Sequence, residues 1–249
     1  MIKIVDLHKS FNGKKILKGI NLEIPDKKIT VILGGSGSGK SVLIKHIMGL
    51  LKQDSGNVYI DGEELSTAKG KNLVAIRKKF GMLFQYSALF DSMNIKDNIA
   101  FPLKEHTKMK NKDIYKLVSE KLKLVGLEGI EELSPADLSG GMKKRVALAR
   151  AIILEPHNIV YDEPTSGLDP LMSKQVDNLI VEMSEKLDIT SIIISHDIPS
   201  AFRIADKIAV LYEGVMVADG TPQEILNSKN EYVKEFLDTG FGKWERISS

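Results

Sequence analysis

Residues 34–41 read Gly34, Gly35, Ser36, Gly37, Ser38, Gly39, Lys40 and Ser41, the spacing G-x-x-x-x-G-K-[ST]. The chemistry suited to such a run is phosphate binding. Glycines remove the side chains that would hold backbone N–H groups away from an anion, and a helix starting at the end of the loop adds positive potential. Lys40 brings a point charge and Ser41 a hydroxyl for Mg²⁺. A second group, Ile159-Val-Tyr-Asp-Glu-Pro164, sets Asp162 and Glu163 side by side after an apolar run. Asp162 suits a metal held through water, and Glu163 suits orienting and deprotonating an attacking water. Alone, an acidic strand end is most often a solvated loop; the lysine loop gives this one its weight. A third group, Leu138-Ser-Gly-Gly-Met142, offers Ser139 as a helix cap with Gly140 and Gly141 leaving amides open, a second anion-seeking helix start. A lone Ser-Gly-Gly is usually an ordinary cap.

These groups need strands that end beside one another. Short β-branched runs recur at 2–5, 22–24, 29–33, 58–60, 159–161, 191–195 and 208–212, with helical patterns between several of them, which predicts an α/β fold. From Lys40 to Leu51 the apolar residues fall at Leu43, Ile44, Ile47, Met48 and Leu51, one face of a helix that follows strand and loop. From about 88 to 155 the strand signal fades, and 113–125 and 140–154 carry helical periodicity, which predicts a helical lobe inserted in the α/β core. A helix opened by Pro222 leads on to 231–237 and a tail to Ser249.

The 249 residues, 43% hydrophobic and 27% charged, describe an ordinary globular chain of about one and a half domains, one large domain with an inserted lobe. There is no cysteine, which excludes disulfide scaffolds, thiolate metal sites and cysteine nucleophiles. A net charge of +2 lacks the basic excess of a protein built around nucleic-acid phosphates. The N-terminus has no signal-peptide pattern and no window reaches the apolar length of a membrane span, so a cytoplasmic protein is expected.

Taken in order, the motifs resemble the ATP-binding subunit of an ABC transporter, from Ile2 to about Leu226. The resemblance implies a P-loop ABC ATPase core with an antiparallel β subdomain and an inserted helical subdomain. The core would occupy about 1–87 and 156–226, the helical subdomain about 88–155, and a C-terminal helix and tail 227–249. It implies ATP and Mg²⁺ as ligands, Gln85 as a residue touching the metal and the transporter interface, Ser166-Gly-Leu-Asp169 as the loop that includes Asp169, and His196 as a contact to the γ-phosphate. Phe11 resembles the aromatic that stacks on adenine. Singly, Gln85 reads as surface polar, His196 as a satisfied strand-end histidine and Phe11 as core. The implied assembly is a head-to-tail pair of copies, each lending its Ser139–Gly141 helix start to the other's nucleotide, on a separate integral membrane permease.

Residues 80–103 and 210–221 are similar to ATPases of Mla-type, or MCE-associated, phospholipid transport systems, where methionine is common at the position of Met142. That similarity implies an MCE-type lipid-binding protein and an accessory subunit as partners, and a peripheral location on the inner face of the inner membrane. Tyr86, Leu89 and Phe90 read either as the socket for the permease or as packing inside the helical lobe. Phe236, Phe241 and Trp244 read as packing on their own domain or as a partner dock, and Lys143, Lys144 and Arg145 as a solvated basic face. A soluble P-loop kinase or GTPase would share residues 34–41 but not the Ser139 and His196 motifs. ABC ATPases of DNA repair or translation carry two cassettes or a long coiled coil. Here Lys40 and Asp162 stand 162 − 40 = 122 residues apart with no heptad array, so no nucleic-acid partner is expected.

Overall fold

The computed structural model describes residues 1–245, without the side chains of 242–245. Two sheets form. The chain opens with β1 (Ile2–Phe11), β2 (Lys14–Ile24) and β3 (Ile29–Leu33), then the P-loop helix α1 (Lys40–Ile47), β4 (Ser55–Ile60), β5 (Glu63–Glu64) and α2 (Gly70–Lys78). After β6 (Phe80–Leu83) come three helices, α3 (Ile95–His106), α4 (Asn111–Leu124) and α5 (Gly140–Ile152). The α/β alternation then resumes with β7 (Asn158–Asp162), α6 (Pro170–Leu187), β8 (Thr190–Ser195), α7 (Ile198–Ile204), β9 (Lys207–Tyr212) and β10 (Val215–Gly220). Helices α8 (Pro222–Leu226) and α9 (Glu231–Glu245) end the described chain.

The larger sheet runs β10-β9-β3-β8-β7-β6, parallel except for the antiparallel β9–β10 hairpin at its edge. The smaller, β2-β1-β4-β5, is antiparallel. The α/β fold with an antiparallel β layer therefore holds. β3, β7 and β8 are buried along nearly their whole length, as strands covered on both faces must be, which is why they read as unbroken apolar runs. One core fills the space between one face of this sheet and α3–α5; the other lies between the opposite face, α1 and the small sheet.

Four strands were less legible in the sequence. β5 is two residues long, β6 contains Gly81, β10 is a half-exposed edge, and β2 extends eight residues before the apolar stretch expected at 22–24. None carries a long apolar run. The basic run at 143–145 departs from the solvated face expected of it. Lys144 is buried and its ammonium donates to the Pro164 carbonyl, while Arg145 donates to the Val125 carbonyl at 2.9 Å. Position on α5 decides this: the helix is buried along most of its length, so basic side chains in its first turns are drawn onto carbonyls of neighbouring loops. Phe236 packs against the large core and Phe241 meets Phe202 edge-on at 5.0 Å, so both pack on their own chain; the Trp244 side chain lies outside the described residues.

The β9–β10 turn reaches back to the phosphate-type loop. The Gly214 N–H donates to the Ser38 carbonyl at 3.1 Å, and its own carbonyl accepts from Lys18 at 2.8 Å. Gly214 has φ 78°, and a Cβ there would fall 2.1 Å from the Ile16 carbonyl oxygen. Gly214→Ala is therefore expected to cost roughly 2 kcal/mol or more, a fall of about 4 °C or more in melting temperature for a chain this size, read by calorimetry on the nucleotide-free protein.

Candidate functional site

Register brings the candidate residues together. Leu33 of β3 pairs with Ser195 of β8, Asp162 of β7 with Ile194, and Leu83 of β6 with Tyr161, so four neighbouring strands end nearly in line. Each strand end then releases one motif: residues 34–41 after β3, Gln85 after β6, Asp162 and Glu163 at β7, and His196 after β8. β8 lies between β3 and β7, so the loop lysine and the acidic pair approach across one intervening strand.

The loop itself is set by close approach. A Cβ on Gly34 would fall 2.3 Å from the Leu211 carbonyl oxygen and 2.8 Å from Ser38 Oγ, so no larger residue fits. Gly39 sits at the start of α1 with φ 109°, and no side chain caps that helix or places an acid in its first turn. Its first amides and dipole end are left for another acceptor. Lys40, 8% exposed, donates to the Gly34 carbonyl at 2.7 Å and to the Gly35 carbonyl at 3.0 Å, with Glu163 Oε1 at 3.9 Å. Burial pushes the ammonium's pKa down, and the carboxylates of Glu163 and Asp162 oppose that shift.

Glu163 stands at φ 49°, a left-handed backbone uncommon for a residue with a side chain, and its N–H donates to the Ile194 carbonyl at 2.9 Å. That bend turns its carboxylate from the strand line toward Lys40 on one side and His196 on the other, where Oε2 lies 2.7 Å from Nδ1. Lys40, Glu163 and His196 thus form one continuous chain of polar contacts. His196 is the exposed member. Asp162 is half-buried, and burial raises its pKa against the pull of Lys40 and Lys45. Gln85 donates to Ser166 Oγ at 3.1 Å, which ties the loop after β6 to the loop leading into α6; among the described residues its amide oxygen accepts no hydrogen bond.

The other candidates stand apart from this chain. Phe11 is 44% exposed at the end of β1, with the Lys9 ammonium over its ring at 5.3 Å from the centroid, an exposed aromatic and not core. Ser139 caps α5 by accepting from the Met142 N–H at 3.3 Å, and Gly141 packs against Met172. Among the described residues no hydrogen bond or ion pair joins Ser139, Gly140 or Gly141 to residues 34–41. Asp169 caps α6, accepting from the Leu171 and Met172 amides. The Met142 side chain is half-buried against the core.

A family profile described as ABC transporter matches residues 17–166, well over half of the chain. The chain belongs to the ABC transporter family. It is similar to the probable ribonucleotide transport ATP-binding protein mkl of Mycobacterium leprae, 43% identical over 237 residues, which cover 95% of this chain and 68% of that protein. It is also similar to the intermembrane phospholipid transport system ATP-binding protein MlaF of Escherichia coli K12, 40% identical over 238 residues, covering 96% of this chain and 88% of that one. Among solved structures it resembles a dimeric post-hydrolysis state of the ATP-binding cassette MJ0796 bound to ADP and Pi. That match has a TM-score of 0.79 and 30% identity, over 89% of this chain and 99% of the other. As an ABC cassette the chain binds ATP and hydrolyses it to drive transport. Among its described residues no helix is long and apolar enough to cross a membrane.

Two residues that the motifs do not contain hold the segment after Gln85. Arg150 of α5 donates to the Ala88 carbonyl at 2.8 Å and the Ser87 carbonyl at 2.9 Å, beneath the Phe90 ring. Ser87 and Ala88 have φ 61° and 46°, so these bonds stabilise a strained bend. Asn98, fully buried, accepts from the Phe90 N–H at 2.7 Å and donates to the carbonyls of Phe90, Met93 and Asn94. The three residues read as socket or packing divide accordingly: Tyr86 is 86% exposed, Phe90 half-exposed against Phe101, and Leu89 packed on the core. Arginine in a helical run carries no signal of such a partner; a buried asparagine is the nearest thing to one. In this ABC cassette, Arg150→Met should speed hydrogen exchange of the amides at 86–90 by about tenfold or more, measured by mass spectrometry.

Proposed function

We propose that this chain is the ATP-hydrolysing subunit of a phospholipid transport system, peripheral on the cytoplasmic face of the inner membrane. Its partners in this reading are a second copy, an integral membrane permease, an MCE-type lipid-binding protein and an accessory subunit. The observation that carries the catalytic part is the unbroken contact from Lys40 through Glu163 to His196 at the ends of β3, β7 and β8. The cargo is argued from the likeness to MlaF over nearly the whole chain. The mycobacterial relative's printed name, ribonucleotide transport, supplies a second reading.

In this reading residues 1–226 are the ATPase unit, with 88–155 as its helical subdomain and 227–249 appended. Phe11 stacks on adenine, and Gly34, Gly35, Ser36, Gly37, Ser38, Gly39, Lys40 and Ser41 wrap the phosphates. Ser139, Gly140, Gly141 and Asp169 serve the nucleotide held by the other copy. Among the described residues no hydrogen bond or ion pair joins Ser139, Gly140 or Gly141 to residues 34–41, which supports that division, and so does the dimeric state of the solved cassette. Glu163 takes a proton from the attacking water and His196 holds the γ-phosphate side. Ser41, Gln85 and Asp162 form an oxygen-only donor set, which fits Mg²⁺, an ion bound by one or two protein oxygens together with phosphates. The raised pKa of Asp162 marks a carboxylate that gains from a nearby cation. When bound, the ion supplies neutralisation of charge developing on the phosphates.

Glu163→Gln is expected to lower kcat by about 10²- to 10⁴-fold while ATP stays bound and a dimer accumulates on size-exclusion chromatography; turnover at the parent rate would remove Glu163 from the role of base. For the cargo, the chain reconstituted with its permease in phospholipid vesicles should move labelled phospholipid on ATP addition. Movement of labelled ribonucleotide instead would select the second reading. Tyr86→Ala is expected to abolish stimulation by the permease and leave basal hydrolysis in place, since that ring touches little of its own chain.

A further inference from the structure

The turn that aims Glu163 is fastened from several sides. Glu163 has a left-handed backbone at φ 49°, and a proline follows it, which favours extended backbone in the residue before. Such a conformation persists only where neighbours hold it. The Glu163 N–H donates to the Ile194 carbonyl of β8 at 2.9 Å, and its carbonyl accepts from the Ser166 N–H at 3.2 Å. Thr165, buried, donates from its hydroxyl to Asp197 Oδ2 at 3.2 Å, next to His196 in the chain. Gln85 holds Ser166 from the loop after β6.

The remaining tie comes from the inserted helices. Pro164 is buried and has no N–H, so its carbonyl is the only backbone group by which this residue can be hydrogen-bonded. That carbonyl accepts from the ammonium of Lys144, in the second turn of α5. Lys144 is 7% exposed and, with Leu83, Tyr161 and Met172, lines a small cavity where α5 and α6 meet the ends of β6 and β7. Among the described residues no carboxylate pairs with it: burial lowers the pKa of the ammonium and no acid opposes the shift. An apolar side chain of similar length would fill this place without the desolvation penalty, so packing does not account for a lysine here. Anchoring does, because a hydrogen bond from a charged donor is roughly twice as strong as a neutral one.

We propose that Lys144 is a positioning residue for hydrolysis: from α5 it holds the Pro164 carbonyl, and through that turn it keeps the Glu163 carboxylate directed at Lys40 and His196. The proposal rests on Glu163 being the base. It makes the aim of that base depend on the seat of α5, since among the described residues no other side chain of that helix hydrogen-bonds to residues 163–166.

The test uses the full chain with MgATP and compares Lys144→Met, which keeps the length of the side chain and removes the donor, with Lys144→Arg, which keeps a charged donor. In Lys144→Met, kcat should fall about tenfold or more, the loss of one hydrogen bond from a charged group. KM for ATP should stay within about twofold, and the melting temperature of the nucleotide-free protein should not fall, because a buried charge has been removed. Lys144→Arg should recover most of the lost kcat. In a Glu163→Gln background, Lys144→Met should take nothing further from kcat, since the two residues act as one unit. Parental kcat in Lys144→Met would overturn the proposal, and so would a loss accompanied by a lower melting temperature, no recovery with arginine, or a further full loss in the Glu163→Gln background. Glu163→Gln alone separates the two layers: turnover at the parent rate there sinks the base reading and the role of Lys144 with it, whereas lost turnover there beside parental Lys144→Met sinks only the role of Lys144.

Discussion

An ammonium group held out of water is the constraint around which this site is built. Burial pushes the pKa of the Lys40 ammonium down, and the loop answers with two carbonyls at hydrogen-bond distance and two carboxylates further off. That balance explains several features that look unrelated in sequence. Gly34 must lack a side chain for the loop to lie against Leu211. Glu163 must leave the strand direction in a left-handed bend to face the lysine. Asp162, one residue earlier, stays within reach because β7 ends level with β8. Removing either carboxylate would leave the lysine more exposed to the desolvation penalty, so the acidic pair supports the basic group before any nucleotide arrives.

Strand order converts this local balance into a site. In a parallel sheet all strands point the same way, so motifs that follow successive strands gather at one edge however far apart they are in the chain. The separation of 162 − 40 = 122 positions between Lys40 and Asp162 therefore costs nothing in distance, and the inserted helices α3–α5 can be carried on the loop between β6 and β7 without disturbing the register. The β9–β10 hairpin, antiparallel at the far edge, turns back through Gly214 to brace the same loop from the side of the small sheet.

How far this was legible in the sequence follows from where each signal is stored. Residues 34–41, 159–164 and 138–142 are contiguous, so spacing alone exposes them, and β3, β7 and β8 are apolar because both faces are covered. β6 and β10 escape notice because a four-residue strand with a glycine, or a half-exposed edge, has no distinctive period. The basic run on α5 misleads for another reason. Lysine is solvated in most settings, and only the tertiary position of Pro164 gives Lys144 a buried acceptor. Phe11, which taken singly would read as core but in the motif context reads as a stacking aromatic, lies open at the end of β1. Contacts such as Arg150 to Ser87, or Gly214 to Ser38, join residues far apart in the chain and have no local pattern at all.

The same long-range contacts say how the lobe and the sheet communicate. Gln85 is tied to Ser166, so the loop after β6 shares a bond with the loop that follows the acidic pair. Two residues on, Arg150 of α5 grips the strained Ser87–Ala88 bend, and α5 is the helix whose start carries Ser139, Gly140 and Gly141. A rotation of α3–α5 against the sheet would therefore load residues 84–90, because that short segment is fastened at two points, one to the sheet side and one to α5. Tyr86, the most exposed large side chain of the segment, sits between the two fastenings. A partner bearing on Tyr86 thus acts on one of the two stretches that join α3–α5 to the sheet, the other being residues 153–157 between α5 and β7.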